Sequence, residues 1–283
     1  MRTALTLLAG LAALAVLGGY LGVLHPLGDS LAVFRLQAAG ALAVLSVLAL
    51  FAGAVRAGRL GMLLALVAGA PVLWSYGAGD AAVTGGLRIY QKNVFYRNDD
   101  LAGLEQDILA AAPDAVMLQE MSQPNLALLE ALEPDLPHQL HCGTAIATRL
   151  PPVAGSGLCA DGLAAMQVEG PAGRLWLVSV HLRWPWPHGQ AVQVRRLLPV
   201  LEGLQGPVVM AGDFNMVRWS ATFSAMARAA RVQPVGAVHG SYTGFAPWLV
   251  LPIDHVLAPG GGRVEMREGL GSDHLGLLAE VGL

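Results

Sequence analysis

The sequence predicts an α/β fold, a two-sheet sandwich of strands and helices preceded by three apolar transmembrane helices. Three observations carry this reading. Lys, Arg, Asp and Glu are almost absent from residues 1–86, where only Arg2, Asp29, Arg35, Arg56, Arg59 and Asp80 occur. Beyond residue 86, short alternating or apolar runs of strand length interleave with a few segments of helical spacing, a mixture that suits sheets covered by helices. Polar residues collect at the ends of those strand-like runs, where loops can gather them.

The N-terminal part contains apolar runs at residues 4–24, 31–55 and 60–76. The first is 21 residues without a charge, enough for a helix to cross a core of about 30 Å. Arg35 and Gln37 open the second. In the third, Pro71 is tolerable near the end, and Trp74 and Tyr76 stand where interfacial aromatics belong. Residues 25–30 and 56–59 read as turns between the runs. A cleaved signal peptide competes for the first run. The lack of a small-x-small site before His25, and the two runs that follow, favour a span. Residues 1–79 are thus expected to be a membrane anchor with three transmembrane helices, and residues 80–86 a linker. Arg2, Arg56 and Arg59 share one side of such an arrangement and favour the cytoplasm. The folded domain, residues 87–283, is then expected on the periplasmic or extracytoplasmic side, although Arg35, Arg88 and Lys92 weaken the count. Cys142 and Cys159 both lie in that domain, where a disulfide would fit an oxidising compartment and two buried thiols would be as ordinary.

Within the domain, residues 87–94 alternate like a strand, and residues 99–112 have helical spacing with Asp99-Asp100 at the start. Residues 115–120 read as a buried strand ending in Glu120, followed by a helix at 123–132. Further strands are expected at 144–148, 165–169, 175–181, 208–211, 253–257 and 275–281, with helices at 190–204 and 222–230. Of 17 basic and 20 acidic residues, this part keeps 13 and 18, a net charge of about −5. No basic stripe is visible, which argues against avid nucleic-acid binding through phosphate contacts. A hydrolase whose metal supplies the positive charge is not excluded.

The strand ends carry Asn93, Glu120, His181, Asp213 and Asn215 in Ala-Gly-Asp-Phe-Asn, Asp254 in Pro-Ile-Asp-His, and Asp273-His274 in Gly-Ser-Asp-His. Singly, each has a plain alternative: a surface acid, a hydrogen-bonded core histidine, a turn. The ordered set Asn-Val, Leu-Gln-Glu, Val-His-Leu, Gly-Asp-Phe-Asn, Ile-Asp-His-Val and Ser-Asp-His resembles the endonuclease/exonuclease/phosphatase superfamily, which includes deoxyribonuclease-I-like enzymes. The resemblance spans nearly the whole domain. It implies a four-layered α/β sandwich of two packed mixed sheets flanked by helices, and a metal-dependent phosphoesterase.

Hard oxygen ligands hold a cation against a negatively charged phosphodiester, a role that suits Mg2+ or Mn2+. Glu120 is the best ligand candidate, with Asn93 and Asp273 beside it in the resembling family. Asp213 would orient or deprotonate water, Asn215 would hold a phosphate oxygen, and His274, oriented by Asp254, would contact phosphate or share in proton transfer. His181 would bind phosphate or protonate the leaving group. Arg183, Trp184 and Trp186, in an aromatic loop after His181, are candidate substrate contacts; the loop could stack a base or sugar, enter lipid headgroups or cap the core. Asn98 is a further phosphate candidate, and residues 241–248 form a second loop able to select substrate. The expected partners are a phosphoester substrate, in nucleic acid or a lipid headgroup, and the membrane. A tethered nuclease is the first choice, a lipid or small-molecule phosphodiesterase or phosphatase the second, and a non-catalytic membrane-bound interaction protein the alternative of another class.

Overall fold

The computed structural model describes residues 1–77, 79–81, 83, 86–246 and 248–283. Ala78 of the expected anchor, Ala82, Thr84 and Gly85 of the expected linker, and Pro247 of the second loop lie outside the described residues.

Four helices open the chain: α1 (Arg2–Gly18), α2 (Pro26–Val33), α3 (Arg35–Phe51) and α4 (Val55–Ser75). The first half of the domain is β1 (Leu87–Asn93), α5 (Leu101–Ala111), β2 (Ala115–Gln119), α6 (Leu126–Leu132), β3 (His138–His141), β4 (Ala145–Thr148), β5 (Leu158–Ala160), β6 (Leu163–Gly170) and β7 (Gly173–His181). The second half is α7 (Gln190–Gly203), β8 (Val208–Asp213), α8 (Ala221–Ala230), β9 (Gln233–Pro234), β10 (Tyr242–Ala246), β11 (Leu249–Leu251), β12 (Asp254–Ala258), β13 (Gly262–Arg267) and β14 (Gly276–Val281).

One sheet runs β13-β14-β1-β2-β4-β3, the other β5-β6-β7-β8-β12-β9, and β10-β11 form a separate hairpin. Each sheet holds one parallel pair among antiparallel neighbours, β1 with β2 and β7 with β8. A parallel pair needs a crossover, and α5 and α7 supply the two. The inner faces meet in an apolar layer of Ile89, Met117 and Ile146 against Met166, Leu177, Val209 and Val256. Outside the first sheet, Tyr90, Val116 and Leu118 pack on Leu104, Ile108 and Leu132 of α5 and α6. Outside the second, Val178, Val180 and Met210 pack on Leu197, Leu201, Phe223 and Met226 of α7 and α8. The strands therefore bury both faces, and the expected four layers are present.

The expectation of three membrane-spanning helices is not met. Among the described residues, α4, with 21 residues, is the one single helix long and apolar enough to cross a membrane. α1 has 17 residues and rises only about 25 Å, short of a core of about 30 Å. α2 and α3 are bent by 68° where they meet, so the second apolar run is not one straight rod. Small residues line the packed faces, with Gly58, Gly61, Ala65, Ala68 and Gly69 of α4 against Ala39, Leu42 and Ser46 of α3. A β-carbon at Gly61 would strike the Ser46 hydroxyl. Large apolar side chains point outward instead, Leu11 at 64% and Leu60 at 69% exposure. Small residues thus face the contacts between the helices, and large apolar ones face outward.

Residues 25–30, expected as a turn, are mostly helix. Pro26 occupies the first helical position, where its missing N–H costs nothing, and the His25 ring accepts the Leu27 N–H as the cap. The resulting α2 is docked on the domain: Ala32 and Val33 enter the same apolar cluster as α7 and α8. The Asp29 carboxylate accepts the Ala221 and Thr222 N–H groups at 2.8 and 3.0 Å, and the Ser220 hydroxyl accepts that of Phe223. Three orphan donors of the α8 N-terminus are thus satisfied, one of the caps arriving from the N-terminal helices. Trp219 Nε1–H donates to the Ala32 carbonyl, and the Val238 N–H to that of Ser75.

Candidate active site

Strand register explains how distant residues meet. In the second sheet His181 pairs with Asp213 across β7 and β8, and Asp213 with Asp254 across β8 and β12. Those three side-chain positions form one row. In the first sheet Asn93 pairs with Gln119, so Glu120 follows at the same edge. The loop before β14 adds Asp273 and His274. All stand at one end of the sandwich, where strand ends of the two sheets come together.

Local backbone aims them. Glu120 and Asn215 have φ of 57° and 48°, the left-handed region that non-glycine residues seldom adopt, and which recurs at functional sites. A β-carbon at Gly212 would collide with the Val180 carbonyl, so the residue before Asp213 must be glycine for β8 to lie this close to β7.

At the centre is a buried relay. His274 Nδ1 lies 2.7 Å from Asp254 Oδ2. A carboxylate only accepts, so Nδ1 carries a proton and donates it, leaving Nε2 facing Asp213 Oδ2 at 3.7 Å. Burial opposes charge on His274, but Asp254 and Asp213 more than offset it and hold the imidazolium up to about 9. Burial likewise opposes the Asp254 carboxylate, yet the neighbouring His274 keeps it below the ordinary range. Burial pushes Asp213 up to about 6, against the pull of His274. Asp213 therefore stands close to neutrality as a proton acceptor, a condition that suits a general base. Asn215 fixes it through its N–H to Oδ1 at 2.8 Å, while the Asn215 amide bonds the Leu182 carbonyl at 2.8 Å. His181 Nε2 is 3.7 Å from Asp213 Oδ2 and 3.9 Å from Glu120 Oε1.

The site suits a hard divalent cation. Glu120 and Asp273 both line the cavity, and Glu120 with Asp254 helps burial raise Asp273. Two carboxylates facing one cavity offer the hard oxygen ligands that a divalent cation takes. Asn93 offers its N–H groups rather than its oxygen. Its Nδ2 donates to Glu120 Oε1 and to Asp213 Oδ2, both at 3.0 Å, while Oδ1 accepts the Phe95 N–H. As placed, it tethers two carboxylates. Asp213, Asp254 and His274 also lie close enough to share an ion. Their atoms are already committed, since Asp254 accepts from both His274 and Gln91, so proton relay describes that group better.

A cavity of about 720 Å³ opens over these groups, lined by Glu120, His181, Asp213, Asn215, Asp273 and His274. Arg183 and Trp184 also line it, but the Arg183 guanidinium is paired with Asp161 at 2.9 Å. Trp186 belongs to an adjoining apolar cavity. Asn98 is not brought to either: its amide donates to the Val94 and Leu270 carbonyls, and its oxygen accepts the Asp100 N–H. It stitches two loops together.

Sequence reasoning missed the buried supports. Lys92 Nζ donates to the Glu268, Gly269 and His274 carbonyls at 2.6–2.9 Å, holding the loop that carries Asp273 and His274. Gln91 Nε2 bridges Gln119 and Asp254, and Gln119 in turn donates to Ser179, a polar ladder crossing between the sheets. The available signal was three consecutive polar residues, Gln91-Lys92-Asn93, inside a strand buried on both faces.

Fold comparison agrees with this architecture. A Staphylococcus aureus beta toxin variant with bound magnesium ions has a TM-score of 0.53 at 14% identity, over 70% of this chain and 100% of the toxin. Sphingomyelinase C from Streptomyces griseocarneus has a TM-score of 0.53 at 18% identity, over 70% of this chain and 100% of its own. D. rerio TDP2 complexed with single-strand DNA product has a TM-score of 0.55 at 19% identity, over 69% and 98%. At such identities the likeness is one of fold. A search of curated proteins finds no match to the sequence. Residues 90–274, however, match the model of the Endonuclease/Exonuclease/phosphatase family. With that match covering most of the chain and the site assembled at the expected strand ends, the chain belongs to this family of metal-dependent phosphoester hydrolases.

Proposed function

We propose that the protein hydrolyses phosphodiesters at a membrane surface, with the catalytic domain outside the cytoplasm. The observation that carries the chemistry is the row Asp254–His274–Asp213 beside Glu120 and Asp273. A divalent cation, Mg2+ or Mn2+, held by Glu120 and Asp273 would neutralise phosphate charge and polarise the phosphoryl oxygen. Asp213 takes the proton of the attacking water as the new P–O bond forms. His274, charged and oriented by Asp254, holds a phosphoryl oxygen through Nε2–H. The bond to the leaving oxygen breaks, and His181, at the exposed edge of the site, returns a proton to it. Asn215 fixes Asp213, and Asn93 couples it to Glu120.

The location rests on separate observations. Arg2 and Arg56 lie together at one end of the helical bundle, and the positive end belongs in the cytoplasm. α4 would cross from there to the domain. Cys142 and Cys159 form a disulfide, which suits an oxidising compartment. Reporter fusions after Asp80 test this: activity only of a cytoplasm-dependent reporter would overturn it.

Nucleic acid is a second reading, favoured by the likeness in fold to TDP2 with its DNA product. Against it, the one arginine that lines the cavity among the described residues is paired with Asp161, and polyanion binding needs free cations. The test is hydrolysis of bis(4-nitrophenyl) phosphate by the full chain with Mg2+, Mn2+ or chelator, alongside a phosphomonoester and DNA. Turnover of the diester is expected, abolished by chelator and, in Glu120→Gln, reached only at tenfold or more higher metal. Diester turnover unaffected by chelator would reject the proposal.

A further inference from the structure

Trp184 and Tyr242 line two cavities at once. One is the catalytic cavity; the other, of about 360 Å³, is closed by Val33 and Phe34 at the bend between α2 and α3, and by Trp186 and Phe245. The shared wall is close to the chemistry. The Tyr242 ring centroid lies 4.8 Å from that of His274 and 5.7 Å from that of Trp184, and Phe34 meets Phe245 at 5.6 Å. A molecule crossing the Trp184–Tyr242 edge would occupy both spaces. Among the described residues no Lys, Arg, Asp or Glu lines the second cavity. The hydroxyl of Ser30 is spent on the Trp186 carbonyl at 2.8 Å.

We propose that this cavity receives a hydrocarbon chain of the substrate, so that the enzyme cleaves an amphiphilic phosphodiester, a membrane lipid, on a site completed by its own N-terminal helices. This rests on the phosphodiesterase reading above and adds the substrate class. Three features select a lipid chain over a nucleobase. Apart from His188 and the Tyr242 hydroxyl the lining is apolar, and among the described residues it holds no Lys or Arg to follow a polyanion, whereas single-strand sites pair stacking rings with a cationic track. One wall belongs to α2, continuous with helices whose outward faces are leucine-rich, so the cavity sits where the domain meets the apolar bundle. At its rim Phe245 is 58% exposed, and Trp248, three residues on, is 82% exposed, as aromatic anchors at a lipid interface are.

The measurement is a chain-length series. The full chain in lipid nanodiscs is offered 4-nitrophenyl alkyl phosphates from methyl to dodecyl with Mg2+, and kcat/KM is recorded for each. Every methylene that enters the cavity is expected to raise kcat/KM roughly three- to fourfold, until the cavity is full. Partition into the disc favours long chains for all variants alike, so Val33→Trp, which fills the cavity, and Phe34→Ser, which makes it polar, isolate its part. Both are expected to cut the dodecyl-to-methyl ratio at least tenfold. A flat series in the wild type overturns the proposal without any variant. So does a steep series that neither variant alters. Failure of the phosphodiesterase reading shows separately, as no metal-dependent turnover even of the methyl ester, and the proposal falls with it. Single-stranded DNA hydrolysed faster than every alkyl ester, and slowed by the same two variants, would assign the cavity to a base instead.

Discussion

Asp213 is the residue on which the proposed chemistry turns, and its surroundings set the terms of its test. Asn93 and Asn215 hold it through N–H groups on both oxygens; an asparagine keeps the shape and one of the two acceptors while losing the base. Asp213→Asn is expected to lower kcat for a soluble phosphodiester about a thousandfold in a chain that still folds; a loss under tenfold would remove Asp213 from the mechanism. His274→Ala is a poorer probe. It strands the Asp254 carboxylate in the interior, and breaking a buried pair costs about 3–5 kcal/mol, so activity and stability should fall together. His255, next to Asp254 in sequence, is bonded away from the relay. Its Nε2 donates to the Met216 carbonyl at 2.7 Å, and Nδ1 faces the Arg218 guanidinium. Burial first, then Arg218, pushes it down to about 3. The unfolded chain takes up a proton near the ordinary histidine value of about 6.5, whereas the folded chain does not. Stability should therefore fall as pH drops below about 6.5 and go on falling toward 3. Between pH 6.5 and 4.5 this amounts to roughly 2–3 kcal/mol. Urea midpoints at the two pH values, with His255→Asn as the comparison, would check it: an equal slope in the variant refutes the assignment.

At the scale of elements, alternation and strand-end polarity made the domain readable. The expected strands at 87–94, 115–120, 175–181 and 208–211 became β1, β2, β7 and β8, and Asn93, Glu120, His181 and Asp213 fell at their ends. What stayed illegible depended on partners far off in sequence. β13 and β3 are edge strands with mixed patterns, defined by β14 and β4 rather than by their own periodicity. α2 looked like a turn because Pro26, Gly28 and Asp29 are turn residues. Their actual uses are N1, a close approach to the Gly22 backbone, and the cap of α8. That cap makes a prediction. Asp29→Asn removes a buried negative charge from a helix N-terminus while leaving an acceptor, and should cost about 1–2 kcal/mol, read as a lower melting temperature that Asp29→Glu does not rescue fully. No change would mean that water replaces the cap. The disulfide is also a tie between elements. Cys142 follows β3 and Cys159 lies in β5, the outermost strands of the two sheets, with Cα atoms 5.7 Å apart. Closing a loop of 17 residues is worth about 3 kcal/mol. Cys142→Ala with Cys159→Ala should lower stability by about that amount, and a change below ~0.5 kcal/mol would show that the sheets' apolar interface alone fixes their edges.

The whole molecule is less divisible than a membrane anchor, a linker and an enzyme would be. Composition drew a sharp line near residue 86, because charge returns there. Composition does not report docking, and Ala32, Val33 and Phe34 pack against the α7–α8 layer regardless of it. The described linker residues are held too, with the Ala81 N–H on the Gly262 carbonyl and the Asp80 carboxylate accepting the Ala237 N–H. A fragment starting at Asp80 would therefore lose more than a run of apolar helices. It would expose the apolar patch under α2, leave the first two N–H groups of α8 without Asp29, and strip the Trp219 indole of its acceptor. Uncovering two buried aliphatic side chains at about 25 cal/mol per Å², with a lost charged cap, comes to roughly 4 kcal/mol. Typical domains have only about 5–15 kcal/mol to lose. The fragment should thus unfold at a clearly lower urea concentration than the full chain in nanodiscs, and aggregate through the uncovered face. Adding Asp29→Asn separates the causes. In the full chain it should move the midpoint toward that of the fragment, whereas the fragment lacks the residue and sets the lower limit. Equal midpoints for fragment and full chain would mean that α2 rests on the domain without supporting it, and that the division near residue 86 is also an energetic one.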